Sequence, residues 1–404
     1  MRATGLEGPL PLTAATVSQW LNGPVTGTGA RVTPEGSLQL TAVWSCVDLV
    51  SMDVARTPLP VYERVAGGRE TADTHPLYRL LHDRPNDLMS AFAFKQTLQA
   101  HRMLRGNAFA HIDRDRAGTI IALWPLHPDK MDKPVLSVSG RLLYTYHLPN
   151  GQPRALTQDE VLHLRGLSPD GIWGYSPIQM HRESIGLGMA QRDYGAKFYG
   201  NNSVPGGVLQ KKEGTLTDES VARLRQQWES LHRGLENAHK VAILEDGLEW
   251  KSIGISHRDA QYLEGMKYSR IEIAAGIFHV PPHKIGEMDR ATFSNIEEQD
   301  IDYQGGTLDA QFALWESEIN ASLLRPQEVA RFYAEFNRNA LVRAKLLERM
   351  EAYDKAWWMT PNEKRARENM NAMAGLDEIF VPVNNVLPLS KIPEPVAPGA
   401  QVAP

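Results

Sequence analysis

The sequence predicts an α+β chain of two to three domains, and three observations carry that prediction. Segments with apolar residues at helical spacing alternate with groups of short extended runs. Glycines and turn dipeptides punctuate those runs. At about 100–200 residues per domain, 404 residues exceed one core. Hydrophobic residues at 42%, charged residues at 23%, 26 Pro and 32 Gly exclude a collagen-like, coiled-coil or wholly disordered chain. The N-terminus lacks a basic stretch followed by an apolar one, and no window approaches about 18 uninterrupted apolar residues. The chain therefore reads as soluble and non-secreted, with no membrane partner.

Residues 1–36 hold Gly, Pro and Thr without helical period and predict a loosely held arm. Val43, Val47, Val50 and Val54 predict a helix over 41–55, which Pro58 and Pro60 stop. A second helix over 92–104 ends at Gly106. Extended runs at 108–114, 119–123, 142–148 and 161–165, separated by turn residues such as Gly118 and Asn150-Gly151, predict a small antiparallel sheet. Ser176-Pro177 supplies a helix cap and first position, starting a helix to about Tyr199. Its glycines, Gly186, Gly188 and Gly195, each cost about 1 kcal/mol relative to Ala and so predict close approach of a neighbour.

After a loop over 200–207, a helix from Thr217 to Gly234 carries Val221, Leu224, Trp228 and Leu231 on one face. A hairpin of 240–244 with 248–255 is predicted across Asp246-Gly247. A third long helix over 259–278 stops at Pro281-Pro282, leaving 279–292 as a loop. The capping box Ser294 to Glu297 opens the next helix, which runs to Leu324 with a kink at Gly305-Gly306. Helices over 339–358 and 361–374 follow, the second opened by the capping box Thr360 to Glu363, and the tail from Pro382 is Pro-rich.

The sequence assigns no catalytic residue, no cofactor and no metal. Cys46 is the sole cysteine and lies beside the valine stripe, so it reads as core and cannot form an intrachain disulfide. The dipeptide Gly-Lys never occurs, which excludes a P-loop. Gly27-Thr28-Gly29 and Gly186-Leu187-Gly188 lack the third glycine of a dinucleotide site. Gly174-Tyr175-Ser176-Pro177 and Gly254-Ile255-Ser256-His257 miss the closing glycine of a nucleophile elbow. His279 and His283 are four apart, but Pro281-Pro282 forbids the helix that would align them. The best enzymatic alternative is a Mg²⁺-dependent nuclease using Glu297, Glu298, Asp300 and Asp302, residues that helix capping and solvation also explain.

Net charge is −5, from 43 basic and 48 acidic residues, which argues against a tight binder of phosphate backbones. The acidity is concentrated: 287–320 holds nine acidic residues and one basic, and the remainder of the chain balances to +3. On one continuous α-helix Glu298, Asp302, Asp309 and Glu316 would fall within about 40° of one another. They would form a stripe that is either a solvated face or a surface unattractive to a polyanion.

These segments resemble, in order, the portal (head-to-tail connector) proteins of tailed double-stranded DNA bacteriophages. The carriers are Val43-Trp-Ser-Cys-Val47, His75-Pro-Leu-Tyr-Arg-Leu-Leu81 with Arg84-Pro-Asn86, and Arg105-Gly-Asn-Ala-Phe-Ala110. They continue with Gly174-Tyr-Ser-Pro177, the run 198–207, Val280-Pro-Pro-His-Lys-Ile-Gly286, Phe293-Ser-Asn-Ile-Glu297 and Thr360-Pro-Asn-Glu-Lys-Arg365. The resemblance implies a non-enzymatic subunit of a ring, usually of twelve, with an α/β wing, a two-helix stem, a small α/β clip and a helical crown.

Laid on this chain, it implies an N-terminal arm at 1–36, a wing at 37–175, stem helices at 176–200 and 258–278, and a clip at 201–257. A tunnel loop would occupy 279–293, a channel-backing helix and return to the wing 294–335, the crown 336–381 and the Pro-rich tail 382–404. The loop residues expected at the DNA channel are His283, Lys284, Glu287, Met288, Asp289 and Arg290, with the acidic stripe behind them. Salt bridges between subunits would employ Lys284 and Arg290 equally well. Implied partners are the terminase large subunit, head–tail adaptors, major capsid and scaffolding proteins, and the DNA passing through. The implied location is the capsid vertex of a virion assembled in the host cytoplasm, or a domesticated gene-transfer particle.

Overall fold

In a computed structural model of the chain, residues 25–200, 207–211, 217–232, 248–252, 256–288, 293–341, 346–368, 370–383 and 385–388 are described. They fall into two units, divided between Asn337 and Arg338.

In the first unit, helix α1 (Thr41–Arg56) buries Val43, Cys46, Val47, Val50 and Val54, the predicted stripe with its flanking cysteine. Each fully buried valine contributes about 1.5–3 kcal/mol. Burial also pushes the Cys46 thiol up to about 12, so it is an inert core residue. Helix α2 (Pro76–His82) is capped by His75, whose side chain accepts from the Leu77 N–H. Helix α3 (Ala91–Arg105) packs along α1, starts at the Ser90 cap and ends at Gly106 in the left-handed region, φ 73°.

The predicted extended runs divide between two antiparallel sheets where one was expected, and a third sheet forms from segments the apolar pattern does not predict. Strands β3 (Asn107–Arg114), β4 (Ile120–Leu126) and β8 (Val161–Arg165) lie in the order β4-β3-β8. Strands β5 (Val135–Leu136), β6 (Leu142–His147) and β7 (Pro153–Thr157) form the second sheet, because the run at 142–147 pairs with 153–157 across the Asn150-Gly151 turn. The two share a core of Phe109, Met131, Leu142, Tyr144, Leu156 and Val161. In the third sheet β1 (Val61–Val65) lies between β2 (Gly68–Thr71) and β11 (Phe332–Ala334). Glu63, Arg64, Arg69 and Glu70 break the apolar alternation that would mark β1 and β2 in the sequence. Guanidinium groups cover the rings there, Arg64 4.4 Å from the Tyr333 centroid and Arg69 4.3 Å from that of Tyr62.

The end of the arm is docked, against expectation. Gly27 N–H donates to Glu183 Oε2 at 2.9 Å, and buried Thr26 fills the notch that Gly186 leaves. Residues 1–24 lie outside the described residues. Ser176 caps as predicted, accepting from Gln179 N–H, but a break at His181 splits the helix into α4 (Pro177–Met180) and α5 (Arg182–Gly200). The close approach predicted for the α5 glycines comes from this same chain: Thr26 at Gly186, Leu40 at Gly188 and the Tyr262 hydroxyl at Gly195.

Strand β9 (Gly207–Lys211) pairs with β10 (Leu248–Ser252), and α6 (Asp218–His232) lies between them in the sequence. The expected partner run at 240–244 lies outside the described residues. Helix α7 (Ser256–Ile271) runs on into a π-helical turn at Glu272–Ile277 and packs on α5, where Tyr262 OH and Ser269 Oγ both donate to Gln191. Helix α8 (Phe293–Asp302), a second π-helical turn at Tyr303–Leu308 and α9 (Asp309–Ser322) follow, so the Gly305-Gly306 kink is a π turn. The side chains of the expected capping box at 294–297 lie outside the described residues. Helix α9 buries Phe312, Trp315 and Ile319, and Trp315 Nε1 donates to Gln99 Oε1 at 2.9 Å.

In the second unit α10 (Leu346–Lys355) is shorter than predicted, and α11 (Pro361–Arg367) carries the predicted Thr360 to Glu363 capping box. Helix α11 stops before 374 because the Asn362 carboxamide binds the Met373 N–H and C=O and Asp377, folding the chain back. Strands β12 (Phe380–Val383) and β13 (Asn385–Pro388) form a hairpin within the expected extended tail.

Candidate functional site at the loop between the long helices

The segment after α7 is pinned by both π-helical turns. His279 adopts a positive φ of 54°, Val280 N–H donates to Ala274 C=O at 2.8 Å, and Thr307 Oγ1 donates to His279 C=O at 2.6 Å. A 3₁₀ turn at Pro282–Ile285 then closes on Gly286, φ 85°. Pro281-Pro282 ends the helix as predicted, and the π turns supply the loop's anchor points.

His283 and Lys284 converge on one carboxylate of α8. His283 Nε2 lies 2.8 Å from Asp300 Oδ1, its Nδ1 2.7 Å from Gln299 Oε1, and Lys284 Nζ 2.8 Å from the same Asp300 oxygen. Burial alone would raise the Asp300 pKa, but hydrogen bonds from Lys284 and His283 outweigh it and hold the carboxyl below its ordinary value. Beneath them Tyr303 OH donates to Asp53 Oδ2 at 2.8 Å, in a site buried enough to push the phenol pKa up, with Asp53 adding to the shift. Met288 is exposed and Glu287 half-buried, while Asp289 and Arg290 lie outside the described residues. The sequence places His283 and Lys284 at this loop, but not the Asp300 and Gln299 that bind them.

The acidic stripe does not survive as a stripe. A π turn takes more residues per turn than an α turn, so the one at 303–308 rotates Asp309 and Glu316 out of phase with Glu298 and Asp302. Glu298 and Asp302 are exposed; Asp309 and Glu316 are half-buried, and Glu316 Oε1 accepts the Phe336 N–H at 2.8 Å. Asp300, one carboxylate of the nuclease alternative, is committed to His283 and Lys284. Glu35, His127 and Asp129 bring metal-ligating atoms within 4.8 Å of one another, but the Arg105 guanidinium already binds both carboxylates.

A second site joins two of the quoted segments. At Gly106 a side chain would collide with the Tyr175 carbonyl, and at Gly174 with the Gly106 carbonyl. Buried Asn107 clamps this crossing: Oδ1 accepts Gly174 N–H at 2.8 Å, and Nδ2 donates to Gly174 C=O at 2.8 Å and Arg105 C=O at 3.2 Å. His163 Nε2 donates to Asn107 Oδ1 at 3.0 Å, and burial, then Arg165, keep this imidazole neutral by pushing its pKa well down. Ser176 Oγ donates to Leu104 C=O at 2.7 Å, fixing the start of α4 against the end of α3.

The fold is that of a solved HK97-family phage portal protein from Corynebacterium diphtheriae, which superposes with a TM-score of 0.54 at 18% identity, over 78% of this chain and 99% of that one. A chain in the neck of a native gene-transfer-agent particle computed with C12 symmetry superposes with a TM-score of 0.56 at 21% identity, over 88% of this chain and 99% of that one. The profile of the family "Phage portal protein" matches residues 41–369. The portal protein of Enterobacteria phage HK97 is 31% identical over 88% of this chain and 85% of its own length. The probable portal protein of Streptomyces phage phiC31 is 32% identical over 92% and 84%. The chain belongs to the phage portal protein family, whose members are structural components of the virion. Among the described residues no helix is long and apolar enough to cross a membrane.

Proposed function

We propose that twelve copies of this chain form a non-catalytic ring at one capsid vertex, through which DNA is packaged and later ejected. Similar chains stand in gene-transfer-agent necks computed with C12 and with C6 symmetry, which supports a ring; twelve is the number the family resemblance implies. In this reading 37–175 is the wing, 176–200 and 258–278 the stem, 201–257 the clip facing terminase and head–tail adaptors, and 336–381 the crown. Major capsid and scaffolding proteins would contact the outside of this ring. The loop 279–293 stands at the channel constriction, backed by 294–335.

The observation that carries this reading is the capture of Lys284 by Asp300. A lysine neutralised within its own chain grips phosphate weakly, and a channel must let a duplex slide. Replacing Lys284→Glu together with Arg290→Glu leaves rings intact and changes DNA packaging or retention in assembled particles. Normal packaging and retention would contradict a DNA-facing loop. Purified protein with Mg²⁺ leaves duplex DNA uncut; cleavage abolished by Glu297→Ala with Asp300→Ala would make the nuclease alternative the better account.

A further inference from the structure

Independently of the ring reading, we infer that the N-terminal arm turns back over its own chain and seats Trp20 and Leu21 in the apolar groove between α1 and α3. The groove, about 320 Å³ in volume, is lined by Leu38, Trp44 and Val47 on one side and by Ala100 and Leu104 on the other. That volume stands at the low end of the range for sites that enclose a small ligand, about 300–1,000 Å³. Trp44 is 55% exposed, although Val43 and Val47 beside it on α1 are buried. The titratable lining residues are Asp48 and His101, and burial keeps His101 neutral by pushing its pKa down to about 4. An occupant must therefore be apolar and nearly uncharged.

The course of the chain selects that occupant. Val25 pairs with Arg31 in an antiparallel bridge, Thr26 N–H donates to Ala30 C=O at 2.9 Å, and Thr26 packs at Gly186. In an antiparallel pair, the residues before Val25 leave alongside those after Arg31. Those after Arg31 are Val32, Thr33 and the helical turn Pro34–Ser37, which deliver Leu38 to the groove. Along that path Leu38 lies no more than about 16 Å from Arg31. Four to five extended residues before Val25 cover about 13–17 Å, which brings Leu21 and Trp20 to the Leu38 end of the groove. The chemistry matches as well: residues 13–24 carry no charged side chain, and Val17, Trp20 and Leu21 are their large apolar members.

The test is chymotrypsin digestion of the full chain, followed by mass spectrometry. Cleavage after Trp20 should run at least about tenfold slower than in a free peptide of residues 10–30, because proteolysis tracks the undocked fraction. Ala100→Glu, which sets a carboxylate in the groove, should bring the rate to within about twofold of the peptide's. Equal rates in the unaltered chain and the peptide would overturn the inference. So would an unchanged rate in an Ala100→Glu chain of native circular dichroism.

A second variant covers loss of folding at Ala100. Leu21→Asp alters only the arm, and it should raise hydroxyl-radical oxidation of Trp44 to the level of a chain lacking residues 1–24. Trp44 oxidised equally in the unaltered and truncated chains would overturn the docking. A short bismaleimide then separates this chain's groove from a neighbour's, with Asn22→Cys on the arm, Gln96→Cys on the groove, and Cys46 buried and inert. The cross-linked product should run at the mass of one chain on a denaturing gel, and neither single-cysteine control should yield it. A ladder of multiples would place the arm in a second copy, and no cross-link would leave the groove to another partner; either result overturns the inference.

Discussion

The junction around Gly106 and the loop around His283 are both held by side-chain hydrogen bonds, yet their surroundings differ. Asn107 and His163 are each only 1% exposed, and every polar atom of the Asn107 carboxamide is partnered. At the loop, Lys284 and Asp300 keep 25% and 36% of their side chains exposed, so water competes for the same bonds. The junction fixes the start of α4 permanently; the loop is anchored at its base and exchangeable at its tip. In the proposed channel the first would serve as a rigid frame and the second as a contact that yields to a passing polyanion.

The comparison can be broken most severely at the frame. Gly106→Val adds a branched side chain at a positive φ and into the Tyr175 carbonyl, so it should cost about 4 kcal/mol or more. Urea denaturation, or failure to obtain soluble protein, reads this out. Asn107→Ala leaves the Gly174 amide and carbonyl buried without partners and should cost about 2–3 kcal/mol by the same measurement.

Acid probes the frame next. His163 stays neutral in the fold but takes a proton near its ordinary pKa of about 6.5 once unfolded. The unfolded state therefore binds more protons below that pH, and stability falls by about 1.4 kcal/mol per pH unit, or about 2 kcal/mol at pH 5. His101, pushed down to about 4 chiefly by burial, adds a loss in the same window. Urea midpoints at pH 7 and 5 measure the slope, which His163→Gln should flatten.

The smallest effect belongs to the loop. Asp300→Asn removes a partly exposed ion pair and should cost less than about 1 kcal/mol of global stability. It should still speed hydrogen exchange at 282–288 while leaving 104–110 unchanged. Equal acceleration in both segments would erase the distinction between frame and loop.

The same contrast explains what was legible in the sequence. Valine spacing predicts α1, Ser176-Pro177 predicts the cap of α4, and the Thr360 to Glu363 box predicts α11, because each is a local rule satisfied by neighbouring residues. The crossing clamps Asn107 to Gly174, 67 residues apart, and no periodicity encodes which partner a buried Asn will hold. Strands β1 and β2 are not legible in the sequence because charges stacked on tyrosine rings replace apolar alternation. At the candidate site the sequence supplied the loop and its charges. It misjudged the stripe because an α-helical phase was carried through Gly305-Gly306, where the backbone turns π. It also left Lys284 open to DNA or to a neighbouring subunit, whereas Asp300 of the same chain holds it.

The central claim is a ring with an open axis, and imaging of purified full-length protein by negative stain tests it most directly. Annular particles of uniform size, with a central opening wide enough for a DNA duplex, are the predicted result. A uniform population of compact monomers under assembly conditions would contradict it.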